Sequence, residues 1–117
     1  MTHEKQEQII SNLFEHCKEI AFGKRNDYNH DEDALSSFKQ MANISDKTPE
    51  EIAFIFMSVK MVRTKNLMKK DDIMNESVED TLIDLINYTA LLYCILSERG
   101  QDLSKVGVSF EELLNKK

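Results

Sequence analysis

Residues 75–100, NESVEDTLIDLINYTALLYCILSERG, constrain the fold more than any other stretch. At 100° per residue, Val78, Leu82, Leu85, Ile86, Leu92, Tyr93 and Leu96 cover one broad side of a helix. Ile83, Ala90 and Cys94 carry the apolar surface further round. Such a helix, predicted over about 76–99, belongs in a core. Three polar residues nevertheless share one strip of it. Asp80, Asp84 and Asn87 follow i, i+4, i+7 spacing and project within about 60° of each other. Carboxylates that face inward are costly unless a cation, a metal or a ligand meets them. The strip is therefore the leading candidate for a site.

The rest of the chain also reads as helices. Ile10, Leu13, Phe14, Cys17 and Ala21, widened by Ile9 and Ile20, give an apolar stripe over about 3–22, with Thr2 as cap and Gly23 as stop. His16 falls on its flank, as a half-exposed surface residue. Leu35, Phe38, Met41 and Ala42 give a short helix over about 33–42, broken by NISDK. Thr48, Pro49 and Glu51 form a capping box with proline at the first helical position, and open a helix over about 49–69. Asn75 or Ser77 caps the long helix, Ser77 with Asp80 fitting the box pattern. A polar, irregular segment follows Gly100. Ser109 and Glu112 then mark a last short helix over about 110–115. Only three Gly and one Pro occur, there is no strand alternation, and 117 residues suit one domain. The expectation is a single all-α, four-helix-bundle-like domain spanning 1–117.

The helix over 49–69 carries two apolar stripes. Ile52, Ile55, Phe56, Val59, Val62 and Leu67 form the first, and Phe54, Met57, Met61 and Met68 lie nearly opposite. A small bundle does not easily bury both, so the chain is expected to form a homo-oligomer. Arg63 and Asn66 fall within the first stripe and Lys60 on its edge. With the two long helices antiparallel, Arg63 would share a layer with Asp80. Two readings follow. One is a buried ion pair. The other is a cavity lined by Lys60, Arg63, Asn66, Asp80, Asp84 and Asn87, with cations for phosphate and carboxylates for Mg²⁺ or for ribose and base donors. The connection GKRNDYNHDED adds a second candidate. It is either a solvated loop or a binding loop offering Lys24, Asn26, Asp27 and Tyr28. His30 there lacks zinc-ligand spacing.

A net charge of −6 argues against wrapping DNA or RNA. Cys17 and Cys94 lack metal-ligand spacing and are expected to be reduced core thiols. MTHEKQEQII has no signal-peptide core, and no apolar run approaches the ~18 residues of a membrane span. A cytoplasmic protein without membrane or polymeric nucleic-acid partners is expected.

Three blocks, KRNDYNHDEDALSSFK, TPEEIAFIFMSVKMVR and NESVEDTLIDLINYTALL, resemble small phage proteins of the nucleotide-modification-associated type. Those are similar to the all-α nucleoside triphosphate pyrophosphohydrolases, the MazG-like group that includes dimeric dUTPases. The resemblance covers about Ile9 to Leu96. It implies a MazG-type fold, completed by oligomerisation, that binds nucleoside phosphates. Enzymes of the group hold Mg²⁺ with an ExxE pair on one helix and an ExxD pair on the next. Here Asp84 fits the last acidic position, but Thr81 stands three residues earlier, with Asp80 beside it as a partial stand-in. The expected acidic pair of the preceding helix reads Lys60-Met-Val-Arg63. Mg²⁺ is disfavoured by adjacent cations. The resemblance then implies a non-catalytic nucleotide binder needing no cofactor, able in a phage setting to sequester a host-defence nucleotide signal. The alternatives are a Mg²⁺-dependent pyrophosphohydrolase using Asp80 and Asp84 as metal ligands, and a helical interaction module with a structural polar core.

Overall fold

The computed structural model describes residues 1–28, 33–69 and 76–104, and the side chains within them apart from those of 24–28, 76 and 101–104. Four helices follow one another: α1 (His3–Tyr28), α2 (Ser36–Ser45), α3 (Pro49–Leu67) and α4 (Glu76–Ser104). The described residues are all-α, without strands.

Helix α3 starts as its sequence dictates. The Thr48 hydroxyl accepts the Glu51 N–H at 3.2 Å, and the Glu51 carboxylate accepts the Thr48 N–H at 3.1 Å. This capping box satisfies two donors that a helix start leaves orphaned. Helix α2 begins three residues later than expected. Asp33 holds a turn before it, its carboxylate accepting the Leu35 N–H at 2.9 Å and its carbonyl the Ser36 N–H at 3.1 Å. Asp46, at φ 56°, ends α2 in the left-handed conformation. Aspartate enters that region more readily than most side chains.

Gly23 does not stop α1. The helix runs through it to Tyr28, so residues 23–28 are helical and not part of a loop. An interior glycine costs only about 1 kcal/mol relative to alanine, which a helix of this length absorbs. Gly100 likewise lies inside α4, which continues to Ser104, past the expected end near residue 99. Ser77 is the second residue of α4 and not its cap. The expected cap Asn75, the helix over 110–115 and His30 lie outside the described residues.

Helices α3 and α4 pack antiparallel. Glu50 meets Arg99 at 2.9 Å, Phe56 meets Tyr88 at 5.4 Å between ring centroids, and Lys60 meets Asp84 at 2.9 Å. Helix α2 closes one end of this hairpin. Leu35, Phe38, Ala42, Ile52, Ala53 and Ile95 form the core there. Phe38 stands 5.8 Å from Phe56, extending the aromatic row, and such pairs add about 0.5–1.5 kcal/mol each beyond their burial. Lys39 straps α2 to α4 by bridging Asp33 and Glu98. Helix α1 is the least covered. Residues 1–12 are exposed, and the helix docks through buried Cys17, whose carbonyl accepts a hydrogen bond from Asn87 Nδ2 at 3.2 Å.

Much apolar surface is left over. On α1, Ile9, Ile10, Phe14 and Phe22 are exposed, and on α3 Phe54, Ile55, Val59, Met61 and Val62, with Met68 at its C-terminal cap. The expected first stripe of α3 is therefore divided. Ile52 and Leu67 are buried and Phe56 half-buried, whereas Ile55, Val59 and Val62 face out. Helix α4 is not covered all round either, with Ala90, Tyr93 and Cys94 exposed. Cys94 is thus a surface thiol and not a core one, and both cysteines are free. The radius of gyration is 16.9 Å, where a compact domain of about 100 residues has ~13 Å.

Candidate functional site

Asp84 of the α4 strip, together with Thr81, meets the cations of α3 across one turn of the antiparallel pair. Lys60 Nζ lies 2.9 Å from an Asp84 carboxylate oxygen. Both side chains are about a quarter exposed, at 24% and 23%, so the pair sits at the edge of the hairpin and not in its interior. One turn further along α3, Arg63 Nε donates to the Thr81 hydroxyl at 3.1 Å. Thr81 is the one buried polar residue among those described, 2% exposed. Its hydroxyl in turn donates to the Ser77 carbonyl at 2.6 Å. One proton is given and one lone pair is used, so the hydroxyl is satisfied without a water.

This arrangement corrects the expected pairing of Arg63 with Asp80. Asp80 is exposed, because the α3-facing side of α4 runs through Thr81, Asp84 and Tyr88. Asp80 projects to the side of that line. Arg63 is itself largely exposed, and its terminal amino groups meet no carboxylate among the described residues. Asn66 is exposed too, about 60° round from Arg63 on α3. Asn87 lies on the same side of α4 as Asp80, about two turns further along, and tethers α1. The six residues thus do not line one closed cavity. Lys60 and Arg63 bond across to Asp84 and Thr81, whereas Asn87 bonds to the Cys17 carbonyl and no hydrogen bond or ion pair among the described residues joins Asn66 or Asp80 to that cluster. Lys24, Asn26, Asp27 and Tyr28 fall on the last turns of α1, and their side chains lie outside the described residues.

Sequence reasoning missed Thr81 as a participant, treating it only as an absent acid. The signal was available in its place three residues before Asp84, on the face that α3 covers. A groove among the described residues lies elsewhere. It has a volume of about 490 Å³ and is lined by Lys47, Glu50, Glu51, Phe54, Ile55, Leu92 and Leu96. Its floor is apolar and its rim carries both signs of charge.

The electrostatics agree with a surface of local pairs. Glu50 in that groove is pushed up by burial, but hydrogen bonds from Thr48 and Arg99 outweigh it and leave the carboxyl below its ordinary 4.5. Lys39, by its hydrogen bond to Asp33, lowers that carboxyl, and is itself raised by its two acidic partners. Burial raises the Cys17 thiol. Among the described residues no three His, Cys, Asp or Glu side chains come together as metal ligands. Among the described residues no helix is long and apolar enough to cross a membrane.

No family model matches the chain, and no curated protein or solved structure matches it either.

Proposed function

We propose that this chain is a self-associating helical protein that binds a small phosphate-bearing nucleotide without hydrolysing it. The observation that carries the reading is the anchored guanidinium of Arg63. Buried Thr81 fixes it through Nε and leaves its terminal amino groups for an anionic ligand. A pre-oriented guanidinium suits phosphate, because its fork of donors matches two phosphate oxygens and little rotamer freedom is lost on binding. Lys60 beside it is already neutralised by Asp84, so Arg63 is the principal anion contact.

The sequence resemblance supplies the nucleotide and the phage setting, and with them sequestration of a host-defence nucleotide signal. It also gives the reading its contrast with hydrolysis. Where the pyrophosphohydrolases would carry two acids on the first helix, α3 carries Lys60 and Arg63, and each bonds across to α4. A contact that a metal ion would mediate is made directly. Binding is then independent of Mg²⁺ and weakens with salt.

A helical interaction module is the second reading. It is favoured by the exposed apolar residues of α1 and α3, which need a covering surface whatever the polar cluster does.

Thermal melts with a panel of linear and cyclic nucleotides, each with EDTA and with Mg²⁺, test the proposal. A ligand present at 100 times its Kd stabilises by about 2.7 kcal/mol. Stabilisation that persists in EDTA, with no phosphate or pyrophosphate released, is the expected result. Stabilisation only with Mg²⁺, accompanied by pyrophosphate release, would establish the hydrolase. No stabilisation by any nucleotide would leave the interaction module.

A further inference from the structure

Helix α3 carries a row that reads almost the same in both directions. Ile55, Val59 and Val62 follow i, i+4, i+7 spacing, lie within about 60° of one another, and are 42%, 57% and 60% exposed. Reversed, the row pairs Ile55 with Val62 and Val59 with itself. The charges bordering it are opposite in sign and nearly equidistant from its centre. Glu51 lies four residues before Ile55, and Lys65 three residues after Val62; both are exposed. An antiparallel second α3 centred near residues 58–59 would set each Glu51 beside the other copy's Lys65. A second exposed row also reverses onto itself, about Met61, but no opposite charges flank it symmetrically. Phe54, Met61 and Met68 recur every seven residues, with Ser58 and Lys65 between them.

We propose that α3 packs against α3 of a second copy of this chain about a two-fold axis next to Val59. Ile55 then faces Val62 of the second copy, and a Glu51–Lys65 ion pair closes each end. The proposal names the surface through which the self-association in our functional reading takes place, and on that point rests on it. Three side chains on one helix cover less than the ~800 Å² per partner of a typical stable interface. The groove supplies the rest. Ile55 belongs both to the row and to the groove wall, opposite Leu92 and Leu96. Val62 of the second copy enters the groove there as a knob between the two helices. A two-fold axis repeats that contact at the other end.

The test uses charge reversal in the full chain. Glu51→Lys and Lys65→Glu each place like charges at both ends of their own dimer, and each should weaken dimerisation about tenfold. In an equimolar mixture of the two variants, the heterodimer has one Lys–Glu pair at each end, so its affinity should return to within about threefold of wild type. Sedimentation equilibrium from about 1 to 100 µM reads all four samples. Glu51→Gln keeps the capping contact while removing the charge, and separates an effect on the helix start from one at the interface. Val59→Glu, which buries a charge at the axis, should abolish the dimer while the monomer keeps its helical circular dichroism. A wild-type dimer unaffected by the reversals, or a mixture no tighter than either variant alone, overturns the α3 seam but not self-association. A wild-type monomer at 100 µM overturns both. Loss of nucleotide-induced stabilisation alone concerns only the ligand.

Discussion

Replacing Arg63 with methionine separates the structure's account of this residue from the alternative that its sequence position suggests. Methionine keeps an unbranched apolar stem and removes every donor. If Arg63 neutralised a buried carboxylate, its loss would strand that charge and cost about 3–5 kcal/mol. The structure gives it one hydrogen bond, from Nε to the neutral Thr81 hydroxyl at 3.1 Å, at a largely exposed position. Thr81 keeps its bond to the Ser77 carbonyl when the guanidinium goes. No buried group is stranded, so the expected loss is about 1 kcal/mol, the net worth of one such bond. Urea denaturation of the ligand-free protein measures this, with an unchanged slope showing that the unfolded reference is the same. Nucleotide affinity should respond far more. A charge-assisted phosphate contact is worth about 1.5–3 kcal/mol, equivalent to roughly a tenfold to hundredfold change in Kd by calorimetric titration. A stability loss of about 3 kcal/mol or more would refute the Thr81 geometry. An unchanged affinity would refute the assignment of Arg63 to the ligand.

Three further perturbations probe the same framework. The Lys60–Asp84 pair, about a quarter exposed on each side, should give a coupling of about 1–2 kcal/mol in a Lys60→Met, Asp84→Asn double-mutant cycle, between the values of surface and buried pairs. Asn87→Leu removes the side-chain hydrogen bond that ties α4 to the Cys17 carbonyl, and should speed hydrogen exchange in residues 3–23 while leaving α3 protected. Glu50 is held below its ordinary 4.5, so its contribution to stability is complete above that pH and is lost as pH falls through the folded value; Arg99→Gln should lessen the stability lost between pH 5 and 3 in urea melts.

The elements were legible wherever a local rule had no competitor. The Thr48–Glu51 capping box satisfies donors within one turn, so four residues predict it, and the start of α3 matches. The helical class and the antiparallel pairing of α3 with α4 followed from periodicity and a short connection. Boundaries set by weak preferences were not legible. Gly23 and Gly100 are tolerated inside long helices because about 1 kcal/mol is small against the rest of the helix. The start of α2 depended on the Asp33 turn, which a hydrophobic pattern does not report. For the polar strip, helical spacing placed Asp80, Asp84 and Asn87 on one side of α4, and that much is geometry. Which neighbour each faces depends on how α4 is rotated against two different helices. Asp84 meets α3, while Asn87 and Asp80 share one side of α4, and α1 covers that side at Asn87 but leaves Asp80, about two turns earlier, exposed.

The antiparallel packing of α3 and α4 explains why Lys60, Arg63, Thr81 and Asp84 pair as they do. Lys60 and Arg63 are three positions apart, and so are Thr81 and Asp84. On antiparallel helices these intervals are in register, so Lys60 meets Asp84 and Arg63 meets Thr81. A carboxylate in place of Thr81 would sit at a position that is only 2% exposed. With a hydroxyl there, the buried end of the contact is neutral and fully bonded. The charge is carried outward to the exposed end of the arginine. Burial therefore falls on the group that tolerates it, and the positive charge remains where an anion can reach it. That division of labour distinguishes the cluster from a core ion pair, in which both charges would have to leave water together.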